Sequence, residues 1–418
     1  MYYHEMTAAE LAEPFLSGER AANGYLGFKG GLNAAIAHRL HFPRVIKSTS
    51  ERTFIEVPMN KRLSSLFAAL VLLCAVTELA RAQAPAEGLT QAQLNARAKA
   101  QNVPEIPYES VPNFLKLPAN LYLGEGIGVA TNSRGHIFVY TRSQATRLFE
   151  FDQKGNYIRE IGEGLYGFLF AHAVRVDPQD NIWAVDEGTN MVIKFNPEGR
   201  VIMLLGRRPE SVEGLLATPA PTAPVPPAQP YMFNRPTDVA WDAAGNIFIS
   251  DGYGNSRVVK YDKNGRFITS VGTKGSAPGQ LNLPHSIATD AKGNVYVADR
   301  TNRRIQVFDN DLTFKTIYDQ VGAPWALCVT PGAHQYLYSS NSNPDNNNAD
   351  ISAVTGEIYK MELDGTILGK FGKAGKQLGS FGTVHAIDCR NENEITVSEI
   401  TAWRVQRLML HPQAKGSK

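Results

Sequence analysis

The stretch LNLPHSIATDAKGNVYVADRTNRRIQVFD, residues 281–309, decides the fold. Short β-branched and aromatic runs flank the pair Gly293-Asn294, so it reads as a strand, a turn and a second strand. His285 stands at the mouth of the first strand, where a packed start ordinarily takes an apolar or small residue. The same pattern recurs along the chain. Aligned on an Asp-x-x-Gly-Asn turn, the copies are GIGVATNSRGHIFVYTR from Gly126, AHAVRVDPQDNIWAVDE from Ala171, PTDVAWDAAGNIFISDG from Pro236 and PHSIATDAKGNVYVADR from Pro284. Looser copies follow, PWALCVTPGAHQYLYSS from Pro324 and VHAIDCRNENEITVSEI from Val384. Irregularly spaced repeats of this kind mark a repeat architecture.

Within a copy, runs such as Asn246-Ile247-Phe248-Ile249-Ser250 have strand periodicity, and helical periodicity is absent. A third strand follows at Arg257-Val258-Val259-Lys260-Tyr261, then Lys263-Asn264-Gly265, then a fourth strand ending at Val271-Gly272. Four antiparallel strands repeated six times specify an all-β, six-bladed β-propeller, because radial closure hides the sheet faces and leaves only short edges. The sixth copy runs out after its third strand, Arg404 to Leu410. The apolar segment Val111–Leu117, ahead of the first copy, is expected to supply the missing outer strand and so close the ring.

Eight residues before each turn glycine, the column reads Ile127, His172, Thr237, His285, Trp325, His385. Histidine takes every second blade. Alternate blades of a sixfold ring lie 120° apart by symmetry, so three imidazoles should converge on the axis, the three-histidine arrangement of a catalytic zinc with a fourth position open. The competing reading is three ordinary polar residues at the mouth of a wet channel. With nine histidines in the chain, their alternation in one column favours the metal.

At the ends of the second strands the copies diverge into Thr141-Arg142, Asp186-Glu187, Asp251-Gly252-Tyr253 and Asp299-Arg300. These ends return to the histidine face. The aspartates are expected to brace neighbouring loops. Arg142, Arg300 and Tyr253, two guanidiniums and a phenol around a metal, suit an anionic, carboxylate-bearing ligand with a proton to be removed. Two insertions, Ala217–Pro230 and Asn341–Asn348, emerge on the same face.

Outside the repeats, acids and bases nearly balance at a net charge of +2, which leaves no basic stripe for nucleic acid. MNKRLSSLFAALVLLCAVTELARAQA, from Met59, has the basic start, short apolar run and Ala80-Arg81-Ala82 site of a signal peptide. The expected organisation is therefore an upstream extension over 1–58, a signal peptide over 59–82, a linker with a short helix over 83–107, the propeller over 108–412 and a disordered tail over 413–418. The mature protein is expected to be an exported monomer, periplasmic or extracellular, without a membrane anchor. Cys328 and Cys389 remain after cleavage, either paired or as two buried thiols.

Arg235-Pro-Thr-Asp-Val-Ala240, Ser250-Asp-Gly-Tyr-Gly-Asn-Ser-Arg257, Pro284-His-Ser286 and Ala298-Asp-Arg300 together resemble the peptidyl-α-hydroxyglycine α-amidating lyase domain, a six-bladed propeller of NHL repeats. The resemblance extends over roughly residues 120–410. It implies a zinc held by His172, His285 and His385, an active-site tyrosine at Tyr253, and substrate-site arginines at Arg142 and Arg300. It also implies a reaction, cleavage of a peptidyl-α-hydroxyglycine or a related carboxylate-bearing hemiaminal to an amide and glyoxylate, with Tyr253 as phenolate taking the hydroxyl proton. Three departures stand out. The family's acid after its third zinc histidine, linked to a structural calcium, is Ala386 here, which speaks against calcium. A methionine is replaced by Thr383, and a cysteine pair near the tyrosine by Asn234 and Gly254. The alternatives are a non-catalytic NHL propeller that binds a protein or glycan on the histidine face, and a calcium-dependent lactonase, which the histidine column argues against.

Overall fold

The computed structural model describes residue 100 and residues 102–208, 228–342 and 355–411. The upstream extension, the signal peptide, most of the linker and its expected helix, the tail, and most of both insertions lie outside them. Among the described residues every regular element is a β-strand, and no helix is long and apolar enough to cross a membrane.

The strands form six four-stranded antiparallel sheets. After a short first strand, β1 (Tyr108–Ser110), the inner strands are β2 (Glu125–Thr131), β6 (Ala171–Val176), β10 (Asp238–Trp241), β14 (Pro284–Thr289), β18 (Pro324–Val329) and β22 (Val384–Asn391). Five sheets take four consecutive strands each. The inner strands pack in the cyclic order β2, β6, β10, β14, β18, β22 and back to β2, a six-bladed propeller.

Each blade is apolar on both faces because each face belongs to a different neighbour. In the second blade Ile182 and Ala184 pack with Ile127, Phe138 and Tyr140 of the first, whereas Trp183 and Val185 pack with Val239, Ile247 and Val259 of the third. The period-two alternation thus separates two cores instead of core from solvent. Six apolar clusters result, one per blade interface. Burial of a large apolar side chain stabilises by about 1.5–3 kcal/mol, so these interfaces carry the fold.

Two polar devices repeat. In the turn after the inner strand of the fourth blade, Asp290 Oδ1 accepts from the backbone N–H of Lys292 (2.9 Å) and Asn294 (2.8 Å). Gly293 there takes a φ of 83°, which a side chain would resist. Asp177 and Asp242 do the same in their blades. At the opposite end, an acid or amide at the end of the second strand accepts from the chain entering the inner strand. Asp186 takes the N–H of Phe170, Asp251 that of Asn234, Asp299 that of Asn282, Asn341 that of Ala323 and Glu399 that of Gly382. The aspartates brace these loops, as their sequence positions suggested, and each brace fixes the residue that follows at the axis.

The sixth sheet corrects one expectation. Its outer strand is β1, paired with β24 (Arg404–Leu410), and not the apolar segment 111–117. Pro112 has no N–H to offer a ladder, and Asn113 turns through a φ of 47°. The chain leaves the sheet there, and Phe114 packs among Phe149, Phe151 and Val405 between the first and sixth blades. Part of the expected linker is also engaged, since Ile106 donates to Lys370 O (2.7 Å) and Lys370 donates to Pro104 O (2.8 Å).

Cys328 on β18 and Cys389 on β22 form a disulfide between the fifth and sixth blades, the pairing that the sequence left open. It spans a sequence separation of 61 residues. Changing both cysteines to alanine is expected to lower the unfolding free energy by about 4 kcal/mol on the loop-entropy scale, read as a fall in the urea midpoint. An unchanged midpoint would mean that residual structure in the unfolded chain already keeps these two ends close.

Candidate metal centre

Each histidine of the column sits on an irregularity of its strand. The register shifts between Ala171 and Ala173, between Pro284 and Ile287, and between Val384 and Ala386. A bulge of this kind inserts an unpaired residue and re-aims its side chain, here toward the axis. His172, His285 and His385 meet there, with ring centroids 4.7, 4.7 and 4.8 Å apart. One nitrogen from each lies within 4.8 Å of the others, and all three residues are buried.

The other ring nitrogens explain the rest of the column. His172 Nδ1 bonds Thr237 O (2.6 Å), His285 Nδ1 bonds Trp325 O (2.7 Å) and His385 Nδ1 bonds Ile127 O (2.8 Å). A carbonyl only accepts, so each Nδ1 carries the proton and each Nε2 keeps its lone pair. The three non-histidine positions are thus backbone acceptors that orient the histidine of the preceding blade. His172 Nε2 and His285 Nε2 are buried with no hydrogen-bond partner. Burial, assisted by the charge of Arg142, pushes the His172 pKa down to about 3. His285 and His385 are likewise held well below the ordinary imidazole range, mainly by burial. Three neutral, preoriented lone pairs facing one point fit a single divalent ion with imidazole preference, and the buried Nε2 atoms otherwise have nothing to bond.

Around the mouth runs a chain of polar contacts through five blades. Arg142 donates from Nε to Glu125 Oε2 (2.7 Å), lies 3.8 Å from Glu187 Oε2 and stacks 3.8 Å from the Phe170 ring centre. Glu187 in turn accepts from both Nε (2.7 Å) and Nη2 of Arg235. Arg235 lies over the Tyr253 ring at 4.4 Å and accepts the Tyr253 N–H at its carbonyl (3.3 Å). Tyr253 packs edge-on against His172 (5.5 Å) and His285 (6.2 Å), and the charge of Arg300 acts on its phenol. Arg300 stacks on Trp325 at 3.7 Å.

The residues expected at the site are thus together, with two differences of state. Arg142 is already paired with acids, so among the described residues Arg300 is the mouth guanidinium with no carboxylate in reach. Burial raises the Tyr253 pKa, against the lowering effect of Arg300, which favours the phenol as long as no metal is bound. Sequence reading missed Glu187 and Arg235 as site residues. Arg235 adopts a φ of 60°, rare outside glycine and asparagine, and such strain collects at functional sites. Asn234 and Gly254 remain face to face, Gly254 donating to Asn234 O at 3.0 Å. A Cβ on Gly254 would meet the Asn234 side chain at 2.1 Å.

Comparison with known proteins bears on this geometry. A family model for the NHL repeat matches residues 233–261 and 281–308, in the third and fourth blades. A probable peptidyl-alpha-hydroxyglycine alpha-amidating lyase of Caenorhabditis elegans is 29% identical over 57% of this chain and 73% of its own. The peptidyl-glycine alpha-amidating monooxygenase of Mus musculus is 34% identical over 43% of this chain, a match that spans 18% of the mouse protein. The NHL repeat-containing protein 3 of Mus musculus is 28% identical over 68% of this chain and 80% of its own.

Proposed function

We propose that this chain, an NHL-repeat relative of the peptidyl-α-hydroxyglycine α-amidating lyases, is an exported zinc lyase that splits an α-hydroxyglycine-type hemiaminal into an amide and glyoxylate. The observation that carries the reading is the convergence of three buried histidines, two of them with an unpartnered Nε2, beside a phenol and an arginine with no acid of its own. His172, His285 and His385 would hold the zinc, which when bound would supply a Lewis acid to lower the pKa of the substrate hydroxyl.

The remaining chemistry belongs to the chain. Arg300 holds the substrate carboxylate, and its stacking on Trp325 fixes the plane of the guanidinium. The reaction breaks the carbon–nitrogen bond, forms the aldehyde carbonyl, and moves one proton from oxygen to nitrogen. Tyr253 Oη can give its proton to the departing nitrogen and receive the one leaving the hydroxyl, so the phenol is restored at each turnover. A resting phenol suits that relay better than a phenolate. The Arg235 stack and the contacts with His172 and His285 hold the ring in place. Export is supported by the Cys328–Cys389 disulfide, which persists in oxidising compartments.

A second reading, a non-catalytic propeller that binds a protein or glycan, is favoured by the exposed Tyr166, Leu169, Phe170, Tyr231 and Met232 on the loops that lead into β6 and β10. Metal analysis and a glyoxylate assay with α-hydroxyhippurate separate the two. About one zinc per chain together with glyoxylate release supports the lyase, and a metal-free, inactive native protein supports the binder.

A further inference from the structure

We propose that the guanidinium of Arg175 is a built-in axial cation that positions the histidine triad, standing where a divalent ion would otherwise tie the inner strands together. Arg175 follows His172 by three residues on β6 and lines the same small cavity as the three histidines. Its Nε donates to Asp238 Oδ1 (2.9 Å) and its Nη2 to Asp238 Oδ2 (2.5 Å), on β10. Nη2 also reaches Ser286 Oγ (3.2 Å) on β14 and Leu327 O (3.1 Å) on β18, and Nη1 reaches Ile387 O (3.4 Å) on β22. One side chain thus bonds four inner strands besides its own.

Each contact lies next to a member of the triad or its support. Asp238 follows Thr237, whose carbonyl orients His172. Ser286 follows His285 and also accepts the N–H of Leu327 (3.0 Å), two residues beyond the Trp325 carbonyl that orients His285. Ile387 lies two residues beyond His385. The cavity of about 10 Å³ beneath the histidines is lined by all three of them together with Arg175, Asp238, Ser286 and Ala386. A carboxylate, a hydroxyl and two carbonyls are oxygen donors of the kind that calcium takes. Here the donors bond to a planar fork of N–H groups instead. The position after the third histidine is Ala386, which lines the same cavity and brings no carboxylate to the point where the chain carries its own cation. These residues do not fit a structural calcium.

The test measures melting temperature and zinc affinity, the second readout resting on the proposed zinc reading. For the wild type, about 5 mM calcium, well above the dissociation constants of weak extracellular sites, is expected to shift the melting temperature by under about 1 °C. Arg175→Ala should melt about 10 °C lower and bind zinc at least about 10-fold more weakly against a chromophoric chelator, without a response to calcium. In Arg175→Ala/Ala386→Asp, calcium should raise the melting temperature by about 5 °C and recover most of the zinc affinity. A calcium-stabilised wild type, an Arg175→Ala protein with unchanged melting and zinc affinity, or a double variant blind to calcium overturns the proposal. If Arg175→Ala does not fold, the wild-type calcium measurement still decides. A wild type that holds no zinc refutes the proposed function and leaves the calcium comparisons to judge Arg175.

Discussion

His285→Ala is expected to purify without zinc and to release glyoxylate at least about 10³-fold more slowly than the wild type, because Lewis-acid stabilisation is worth several kcal/mol and each 1.36 kcal/mol is a decade in rate. The reasoning is geometric. Two imidazoles remain after the substitution, 4.7 Å apart between ring centres, and the third corner is lost with its preoriented Nε2. The fold should survive. His285 contributes one hydrogen bond, to Trp325 O, and the interfaces on either side of its blade are apolar clusters in which it takes no part. Leaving the Trp325 carbonyl unpaired costs about 1–3 kcal/mol, a modest fraction of what six interfaces provide. Elemental analysis and a melting curve on the same sample separate the outcomes. Full zinc content in His285→Ala would remove the triad as the metal site, and a collapsed melting transition would make the histidine a structural residue.

How much of this was legible before the structure depends on the scale of the feature. The repeat turn and the period-two strands carry the propeller because the Asp290 turn and the two-faced blades are local consequences of local sequence. The histidine column was legible for the same reason, since a sixfold ring converts an alternating column into a point. The bulges that aim those histidines were not, because a register shift leaves no mark in composition. The carbonyls of Ile127, Thr237 and Trp325 were also hidden, since a backbone acceptor can belong to any residue. Arg235 and Glu187 come from different blades and meet only when the second and third blades pack, so no spacing links them. Arg175 did leave a trace, a cation inside a strand whose counterparts at the same offset are Ala130, Ala240, Ala288 and Cys328, with an acid, Asp388, in the sixth copy. The closing strand lies just ahead of the apolar segment and not within it, because apolar content alone does not make a strand. Pro112 and Asn113 rule the ladder out there, and Phe114 uses its ring between blades.

Tyr253→Phe and Arg300→Met should part company in their kinetics, and that separation tests the division of labour at the mouth. Removing the phenol oxygen takes away the group that passes the proton, so kcat is expected to fall by about 10²–10⁴, the usual range for a general acid–base group. Zinc content and KM should stay near wild type, because the ring left by Tyr253→Phe would still pack against His172 and His285 and lie under Arg235. Arg300→Met keeps length and contact with Trp325 but loses the charge. A charge-assisted hydrogen bond to a carboxylate is worth about 1.5–3 kcal/mol, so KM should rise by roughly 10- to 150-fold. A neutral amide analogue of the substrate should lose little in that variant, since it brings no charge for Arg300 to bind. Arg142 makes the contrast sharper. Its guanidinium already faces Glu125 and Glu187, so Arg142→Met should leave the preference for a carboxylate in place. If Arg142→Met erased that preference and Arg300→Met did not, the carboxylate would lie on the first blade instead of the fourth. The proton path through Tyr253, whose phenol feels the charge of Arg300, would then have to be redrawn.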